Sequence, residues 1–291
     1  MAAPVVTTTR SPRPDWLKVR LPSGDNYFRL KSTMRSLNLH TVCEEARCPN
    51  VAECWGQGTA TFMILGDVCT RSCGFCAVKT GLPQILDREE PERVAKAVEA
   101  LGLSHAVITS VNRDELPDGG AAIFAETIEA VRRRNPETNI EVLIPDFKGS
   151  RASLEAVLAA KPQILNHNIE TVPRLYKHVR PGANFAQSVE LLERAKTLSP
   201  DIISKTGLMV GLGESLDEVE DVMRELVVKA RVDVFTIGQY LQPTREHLPI
   251  DRYVHPDEFD ALAQKGREIG FRHVEAGPLV RSSYHAANQV P

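Results

Sequence analysis

Six cysteines are confined to residues 43–76 of a 291-residue chain, and they fall into two triplets. Cys43-x4-Cys48-x5-Cys54 comes first, and Cys69-x3-Cys73-x2-Cys76 follows. Disulfides and structural zinc sites both count their ligands in even numbers, so a triplet suits neither. Three thiolates on a four-iron cluster leave one iron open to another ligand, and an open iron is a place for chemistry.

The second triplet lies in the segment Cys69-Thr70-Arg71-Ser72-Cys73-Gly74-Phe75-Cys76, after an apolar, β-branched run and with an aromatic residue before its last cysteine. C-x3-C-x-aromatic-C is the signature of the radical S-adenosylmethionine (SAM) superfamily, and the segment resembles it at every defining position. That resemblance implies that Cys69, Cys73 and Cys76 hold three irons while the fourth binds the amino and carboxylate groups of SAM. A zinc site completed by a distant histidine is the competing reading. Zinc modules, however, usually pair two C-x2-C knuckles.

Such a motif names a superfamily rather than a reaction. The upstream C-x4-C-x5-C discriminates further: over residues 35–287 the chain resembles the lipoyl synthase family. The resemblance is carried by Glu44-Glu45-Ala46-Arg47-Cys48-Pro49-Asn50, Thr109-Ser110-Val111, Asp118-Gly119-Gly120, His167-Asn168-Ile169-Glu170, Val179-Arg180-Pro181-Gly182, Lys205-Thr206-Gly207-Leu208-Met209 and Val280-Arg281-Ser282-Ser283-Tyr284-His285. It implies that Cys43, Cys48 and Cys54 bind an auxiliary [4Fe–4S] cluster whose fourth ligand is Ser283, the second serine of the R-S-S-Y tail. A serine oxygen holds iron less firmly than a thiolate, which suits a cluster that must be taken apart. Without the resemblance, Arg281–Tyr284 reads as an ordinary tail that caps or pins the C-terminus.

What the resemblance implies is a sulfurtransferase with two [4Fe–4S] clusters and SAM. It inserts sulfur at C6 and C8 of an octanoyl group amide-linked to a lysine of a lipoyl carrier domain. The carriers would be the E2 subunits of 2-oxoacid dehydrogenases and the glycine cleavage H protein, with a reductant such as ferredoxin or flavodoxin. No side chain can deprotonate an unactivated C–H bond, so acid–base residues alone would not suffice. Another two-cluster radical SAM enzyme, for sulfur insertion or methylthiolation, is the nearest alternative. A non-catalytic iron–sulfur or zinc protein is the alternative from a different class, although an electron carrier would be expected to have complete four-cysteine sets.

For SAM itself, Phe75 is expected near the adenine, and Asn112, Asn168, Glu170 and Lys205 at or just beyond strand ends. Each reads equally well as a core aromatic or a solvated loop residue. Arg180 and Arg281 could serve cluster, SAM or carrier. Gly211-x-Gly213 is not read as a dinucleotide motif, and His105, His247 and His273 are read as structural.

The elements that must position these residues follow from periodicity. Strand-length apolar runs occur at Thr61–Val68, Ala106–Val111, Ile140–Ile144, Ile164–Leu165, Ile202–Val210 and Val232–Ile237. Helical spacing marks Pro91–Leu101, Gly120–Arg134, Ser150–Ala160, Ala186–Leu198, Ser215–Ala230 and Pro256–Ile269. Pro91 among acids and Ser215 three residues before Glu218 are helix-start signals. Six alternations predict an α/β fold with parallel strands and crossover helices. An open doubly wound sheet would fit too. The cysteine loop after the first strand and the polar residues at later strand ends favour a (β/α)6-type partial TIM barrel with its site at the C-terminal mouth. The expected organisation is an N-terminal extension with the first triplet (1–59), a partial barrel (60–272) and a C-terminal segment (273–291). Extension and tail should fold together over the mouth, and residues 1–30 should form an arm.

With 42% hydrophobic and 25% charged residues, the chain reads as globular. A net charge of −3 gives no basic footprint for nucleic acid, and no apolar run of about 18 residues predicts a membrane span. The first residues, MAAPVVTTTRSPRP, lack the apolar core of a secretory signal. The expected location is cytoplasmic; an acid-free start with two arginines leaves a short organelle-targeting peptide as the alternative.

Overall fold

A computed structural model describes residues 12–18, 25–45, 48–56 and 59–289. The expected arm, 1–30, therefore lies largely outside the described residues, as do Ala46 and Arg47 of the first cysteine segment. The strands are β1 (His40–Thr41), β2 (Thr59–Ile64), β3 (Val68–Cys69), β4 (Lys79–Thr80), β5 (His105–Ser110), β6 (Asn139–Leu143), β7 (Ile164–Asn166), β8 (Ile203–Val210), β9 (Val234–Gln239) and β10 (His273–Gly277). The helices are α1 (Asp25–Ser36), α2 (Val42–Glu45), α3 (Val51–Gly56), α4 (Glu90–Leu101), α5 (Ala121–Arg134), α6 (Arg151–Ala159), α7 (Tyr176–Val179), α8 (Phe185–Leu198), α9 (Leu216–Ala230) and α10 (Pro256–Ile269).

One sheet runs β1-β2-β5-β6-β7-β8-β9-β10, and β3 pairs with β4 separately. From β2 onward every pairing in the large sheet is parallel; β1 is antiparallel and forms one edge. Parallel strands covered on both faces read as continuous apolar runs, and β2, Thr-Ala-Thr-Phe-Met-Ile, is buried throughout. Six strand–helix units are present, β2-α4, β5-α5, β6-α6, β7-α8, β8-α9 and β9-α10, and they form the expected partial barrel. A seventh parallel strand, β10, follows them. It carries the barrel past the expected boundary at 272, because His273–Gly277 pairs in register with Val234–Gly238.

Local chemistry sets the ends of these elements. Ser215 Oγ accepts from the Glu218 amide at 3.2 Å, and the Glu218 carboxylate accepts from the Ser215 amide at 2.9 Å, closing the capping box of α9. Strand β2 stops where Leu65 and Gly66 turn left-handed, at φ 68° and 90°. The buried Glu90 carboxylate accepts from the Leu65 amide at 2.6 Å, and Arg113 donates to the Leu65 carbonyl at 2.9 Å. This fixed turn is what launches the loop carrying Cys69, Cys73 and Cys76.

The N-terminal region holds more structure than its sequence suggested. Helix α1 buries Leu30 and Met34 against the barrel, with Tyr27 stacked on Trp55 at 5.1 Å. Trp16 meets Tyr253 edge-on at 6.4 Å, so even the described part of the arm is packed.

Parallel register places Thr61, Val107 and Glu141 on one rung, and Met63, Thr109 and Leu143 on the next rung toward the mouth. Lys205 is the third residue of β8, not its end, and is fully buried. Its ammonium lies 2.9 Å from Glu141 Oε1, while His105 Nε2 approaches Glu141 Oε2 at 3.4 Å and Asn166 donates to Glu141 at 3.1 Å. The expectation that Lys205 contacts SAM is thereby corrected: the side chain is spent on an ion pair below the mouth.

Burial by itself would raise the Glu141 pKa, but Lys205 and His105 outweigh it and hold the carboxyl down at about 2. The folded value lies below the ordinary 4.5, so the stabilisation is complete above that pH and is lost as pH falls toward about 2. Glu141→Gln is therefore expected to flatten the acid limb of the stability curve. Lys205→Met should cost about 3–5 kcal/mol by stranding a buried carboxylate. Denaturant unfolding at several pH values measures both effects.

Candidate active site

The loop of the second triplet has little regular structure of its own, so its shape is imposed by neighbours. The Asn112 amide points at Cys69 Sγ at 3.3 Å, and the Asn112 carbonyl accepts from the Thr70 amide at 3.0 Å. Gly74 donates to the Val179 carbonyl and accepts from the Leu248 amide, both at 3.0 Å. A Cβ on Gly74 would lie 2.8 Å from the Leu248 side chain, so glycine is what allows that approach. His247 Nε2 lies 2.9 Å from the Cys76 carbonyl, which can only accept, so that nitrogen is the donor. His247, read as structural, thus supports Cys76 directly.

Arg71, inside the loop, is the strongest tether. It donates to Asp114 at 2.7 and 2.9 Å and to Asp146 at 2.8 and 2.7 Å. Burial alone would lower its pKa; the two carboxylates raise it, so the guanidinium stays cationic. Sequence reading missed this clamp because its partners lie 43 and 75 residues away, in the loops after β5 and β6.

Cys69, Cys73, Cys76, Phe75, Asn112, Asn168 and Glu170 all line one cavity of about 170 Å³ at the C-terminal ends of the strands. Of the expected contacts only Lys205 is absent from it. Ser110 Oγ, Asn168 Oδ1 and Arg180 Nε face this region buried and without a hydrogen-bond partner. Unpaired buried polar atoms are costly unless a ligand or water completes them. Arg180 is otherwise fixed by the Asn168 carbonyl at 2.8 Å and the Tyr176 hydroxyl at 3.3 Å. Glu170 holds a left-handed backbone, φ 66°, and bridges to Leu208. Such strain in a non-glycine residue persists where the surroundings enforce it. Burial raises its pKa against the opposing pull of Arg180.

A second cavity, of about 610 Å³, shares Met63, Phe75, Cys76, Val78, Leu143, Asn168 and Glu170 with the first. Its other walls come from Val42 and Pro49 beside the first triplet, Gly207 and Gly238 in β8 and β9, and Val280, Arg281 and Ser282 of the tail. Its size falls in the range of about 300–1,000 Å³ usual for small-ligand sites. Ser282 lines the cavity and Ser283 stands next to it, half-buried.

The first triplet is gathered by β1, α2 and α3. Cys43 is buried and its pKa is pushed up to about 12, by burial first and then by its neighbour Cys48. Cys54 is likewise pushed up to about 12 by burial and by Cys48 and Cys43, so the three thiols sense one another. In the second triplet Cys76 rises to about 11 through burial, with Cys73 and Cys69 adding to it. All six are free thiols. Among the described residues no three His, Cys, Asp or Glu side chains meet at a single-ion position; thiolates on a four-iron cluster are spaced more widely than ligands of one ion. Two groups of soft donors, each gathered but unpaired, fit iron–sulfur clusters.

The radical SAM superfamily model matches residues 63–226. The model for the N-terminal domain of lipoyl synthase of the radical SAM family matches residues 5–48. A lipoyl synthase from Rubrobacter xylanophilus is 61% identical over 280 residues, 96% of this chain and 87% of its own. The chain belongs to the lipoyl synthase family. A second lipoyl synthase, from Halalkalibacterium halodurans, is 59% identical over 96% of this chain and 92% of its own. Streptococcus suis SuiB bound to S-adenosylmethionine shares the fold at a TM-score of 0.58 and 12% identity, over 81% of this chain and 57% of that one. HydG, a maturase of the [FeFe]-hydrogenase, does so at 0.56 and 13%, over 75% of this chain and 56% of that one. The chain thus spans little more than half of these two proteins, and at such identity they speak for the fold alone. Lipoyl synthases work with SAM and two [4Fe–4S] clusters, the number for which this chain has cysteine triplets.

Removing the Arg71 guanidinium would leave Asp146, only 1% exposed, buried without its cation. Arg71→Ala is expected to lower stability by about 3–5 kcal/mol and to reduce iron retention at the second triplet selectively. Arg71→Lys, which keeps the charge but not the planar fork, should fall between. Thermal melts and iron analysis of the two variants read out the difference.

Proposed function

We propose that the chain inserts two sulfur atoms, at C6 and C8, into an octanoyl group amide-linked to a lysine of a lipoyl carrier domain. In this reading Cys69, Cys73 and Cys76 hold the SAM-binding cluster, and Cys43, Cys48, Cys54 and Ser283 hold the auxiliary cluster. The observation that carries it is the shared wall: Cys76 and Phe75 border the same cavity as Val42 and Pro49 beside the first triplet and Val280–Ser282 of the tail. When bound, SAM and its cluster supply a radical able to take hydrogen from an unactivated carbon, and the auxiliary cluster supplies the sulfur.

The chain's own residues do the rest. Ser110, Asn168 and Arg180 offer the unpaired polar atoms that a polar cofactor would complete. Phe75 supplies an aromatic face toward the adenine, while the Asn112 backbone orients Cys69 and Glu170 presents a carboxylate beside Cys73. Met63, Leu143, Leu208 and Tyr240 give the larger cavity apolar walls suited to an acyl chain. Such walls exclude water from a reactive site. Because burial keeps the thiols protonated until they bind metal, cluster loading must release protons.

Residues 1–59 and the segment after β10 serve in this reading as covers over the mouth of the barrel, which begins at about residue 60 and ends with β10. The carriers are the E2 subunits of 2-oxoacid dehydrogenases and the glycine cleavage H protein, ferredoxin or flavodoxin is the reductant, and the setting is the cytoplasm. Among the described residues no helix is long and apolar enough to cross a membrane.

Anaerobic reconstitution should yield about eight irons and matching sulfide per chain; about four irons, or zinc in their place, contradicts two clusters. Alanine at Cys69, Cys73 and Cys76 together should abolish 5′-deoxyadenosine formation while the auxiliary iron remains. Mass spectrometry of an octanoylated carrier peptide should show a gain of two sulfurs with the parent enzyme and none with Ser283→Ala. Normal lipoyl formation by that variant refutes the ligand role of Ser283.

A further inference from the structure

One short helix grips the tail at two points. Asn50, just before α3, donates through its side-chain amide to the Leu279 carbonyl at 2.6 Å. Glu53 accepts from the Tyr284 hydroxyl at 3.2 and 3.1 Å, and its Oε1 lies 3.2 Å from His285 Nε2. Because the grips fall on Leu279 on one side and on Tyr284 and His285 on the other, they bracket the segment from Val280 to Ser283.

Other contacts fix the same segment from the barrel side. His285 Nδ1 lies 3.3 Å from Glu275 Oε1 in β10, so its ring sits between two carboxylates. A Cβ on Gly238 would stand 2.1 Å from the Val280 carbonyl, so the tail can lie against β9 only where that strand has no side chain. Within the bracket, Arg281 and Ser282 line the larger cavity together with Val42 and Pro49, the chain neighbours of Cys43 and Cys48. The bracketed turn therefore faces the first triplet, and Glu53 is the chain neighbour of Cys54.

We propose that Glu53 is the positioning residue for Ser283: by seating Tyr284 and His285 on α3, it presents the Ser283 hydroxyl to the iron bound by Cys43, Cys48 and Cys54. This rests on the reading of Ser283 as the fourth ligand of the auxiliary cluster. Glu53 is 45% exposed, so its contacts contribute little to global stability and act locally. The serine can then leave the iron by opening a surface clasp of a few residues, without unfolding of the barrel.

The test uses full-length chain carrying alanine at Cys69, Cys73 and Cys76, loaded with 57Fe so that iron sits at the auxiliary site alone. Mössbauer spectra distinguish an oxygen-ligated iron from three thiolate-ligated ones, and hydrogen exchange reports on residues 279–286. Ser283→Ala should remove the distinct iron signal. Glu53→Ala should diminish it and speed tail exchange about tenfold, in line with losing surface hydrogen bonds. Glu53→Gln keeps an acceptor oxygen and should restore much of both. Tyr284→Phe combined with His285→Gln should reproduce Glu53→Ala from the other side of the clasp.

An unchanged iron signal in Glu53→Ala, with Ser283→Ala shifted, overturns the proposal whether or not exchange changes. An effect of Glu53→Ala that the tail double variant lacks shows Glu53 acting through Cys54, and also overturns it. If Ser283→Ala itself leaves the spectrum unchanged, the ligand reading fails, and the positioning role falls with it.

Discussion

The loop that carries Cys69, Cys73 and Cys76 has no ladder beyond the two-residue β3 and no helix, so most of its rigidity has to be borrowed. Every other feature of the mouth answers that constraint. The segment from Cys69 to Cys76 is held by the Asn112 backbone after β5, by Val179 at the end of α7, and by His247 and Leu248 from the loop after β9. Arg71 adds a four-bond clamp onto Asp114 and Asp146. These supports arise from four separate units of the partial barrel, and it is the parallel register of the strands that brings them to one end. Distributed support also places the loop accurately, and misplacement of about 1 Å can cost orders of magnitude in rate.

Below the mouth, the interior changes character by rung. Met63 and Leu143 present apolar bulk to both cavities, while one rung further in Glu141 meets Lys205. On the opposite side Gly207 and Gly238 line the larger cavity, and the places their side chains would take are filled by Thr236 Oγ1 and the Val280 carbonyl. A Cβ on Gly207 would lie 2.2 Å from Thr236 Oγ1, so glycine there is what lets β8 and β9 pack closely beside the cavity. The barrel is thus plugged by an ion pair at depth and left hollow near its rim.

The repeating part of the chain was the legible part. Six strand runs and six helical runs were visible because burial on both faces forces continuous apolar strands and a 3.6-residue period on their covers. The capping box at Ser215 and Glu218 was readable for a similarly local reason. Strand β10 was not, since His273–Gly277 buries only Val274 and leaves no apolar run to notice. Helix α1 does carry Tyr27, Leu30 and Met34 at helical spacing, but a Pro-, Thr- and Arg-rich beginning masked it. Lys205 misled because a polar residue late in a strand resembles a site residue, while its partner Glu141 lies 64 positions away. For the candidate site, motif and strand-end position pointed to Cys69, Cys73, Cys76, Phe75, Asn112, Asn168 and Glu170, which line one cavity. The Arg71 clamp and the Glu53 contacts are long-range pairings that no spacing rule encodes.

The contact between Asn50 and Leu279 spans 229 residues, and that distance along the chain is also a distance in time. At about 5–20 residues per second, a ribosome takes roughly 10–50 s to travel from one partner to the other. Cys43, Cys48 and Cys54 are therefore synthesised long before the tail that packs beside them, and before most of the strands that line the mouth. Through that interval the first triplet is an unshielded set of thiols. Whatever binds the first triplet meets either a nascent, open site or a finished one packed beside the tail, and the order of translation separates the two.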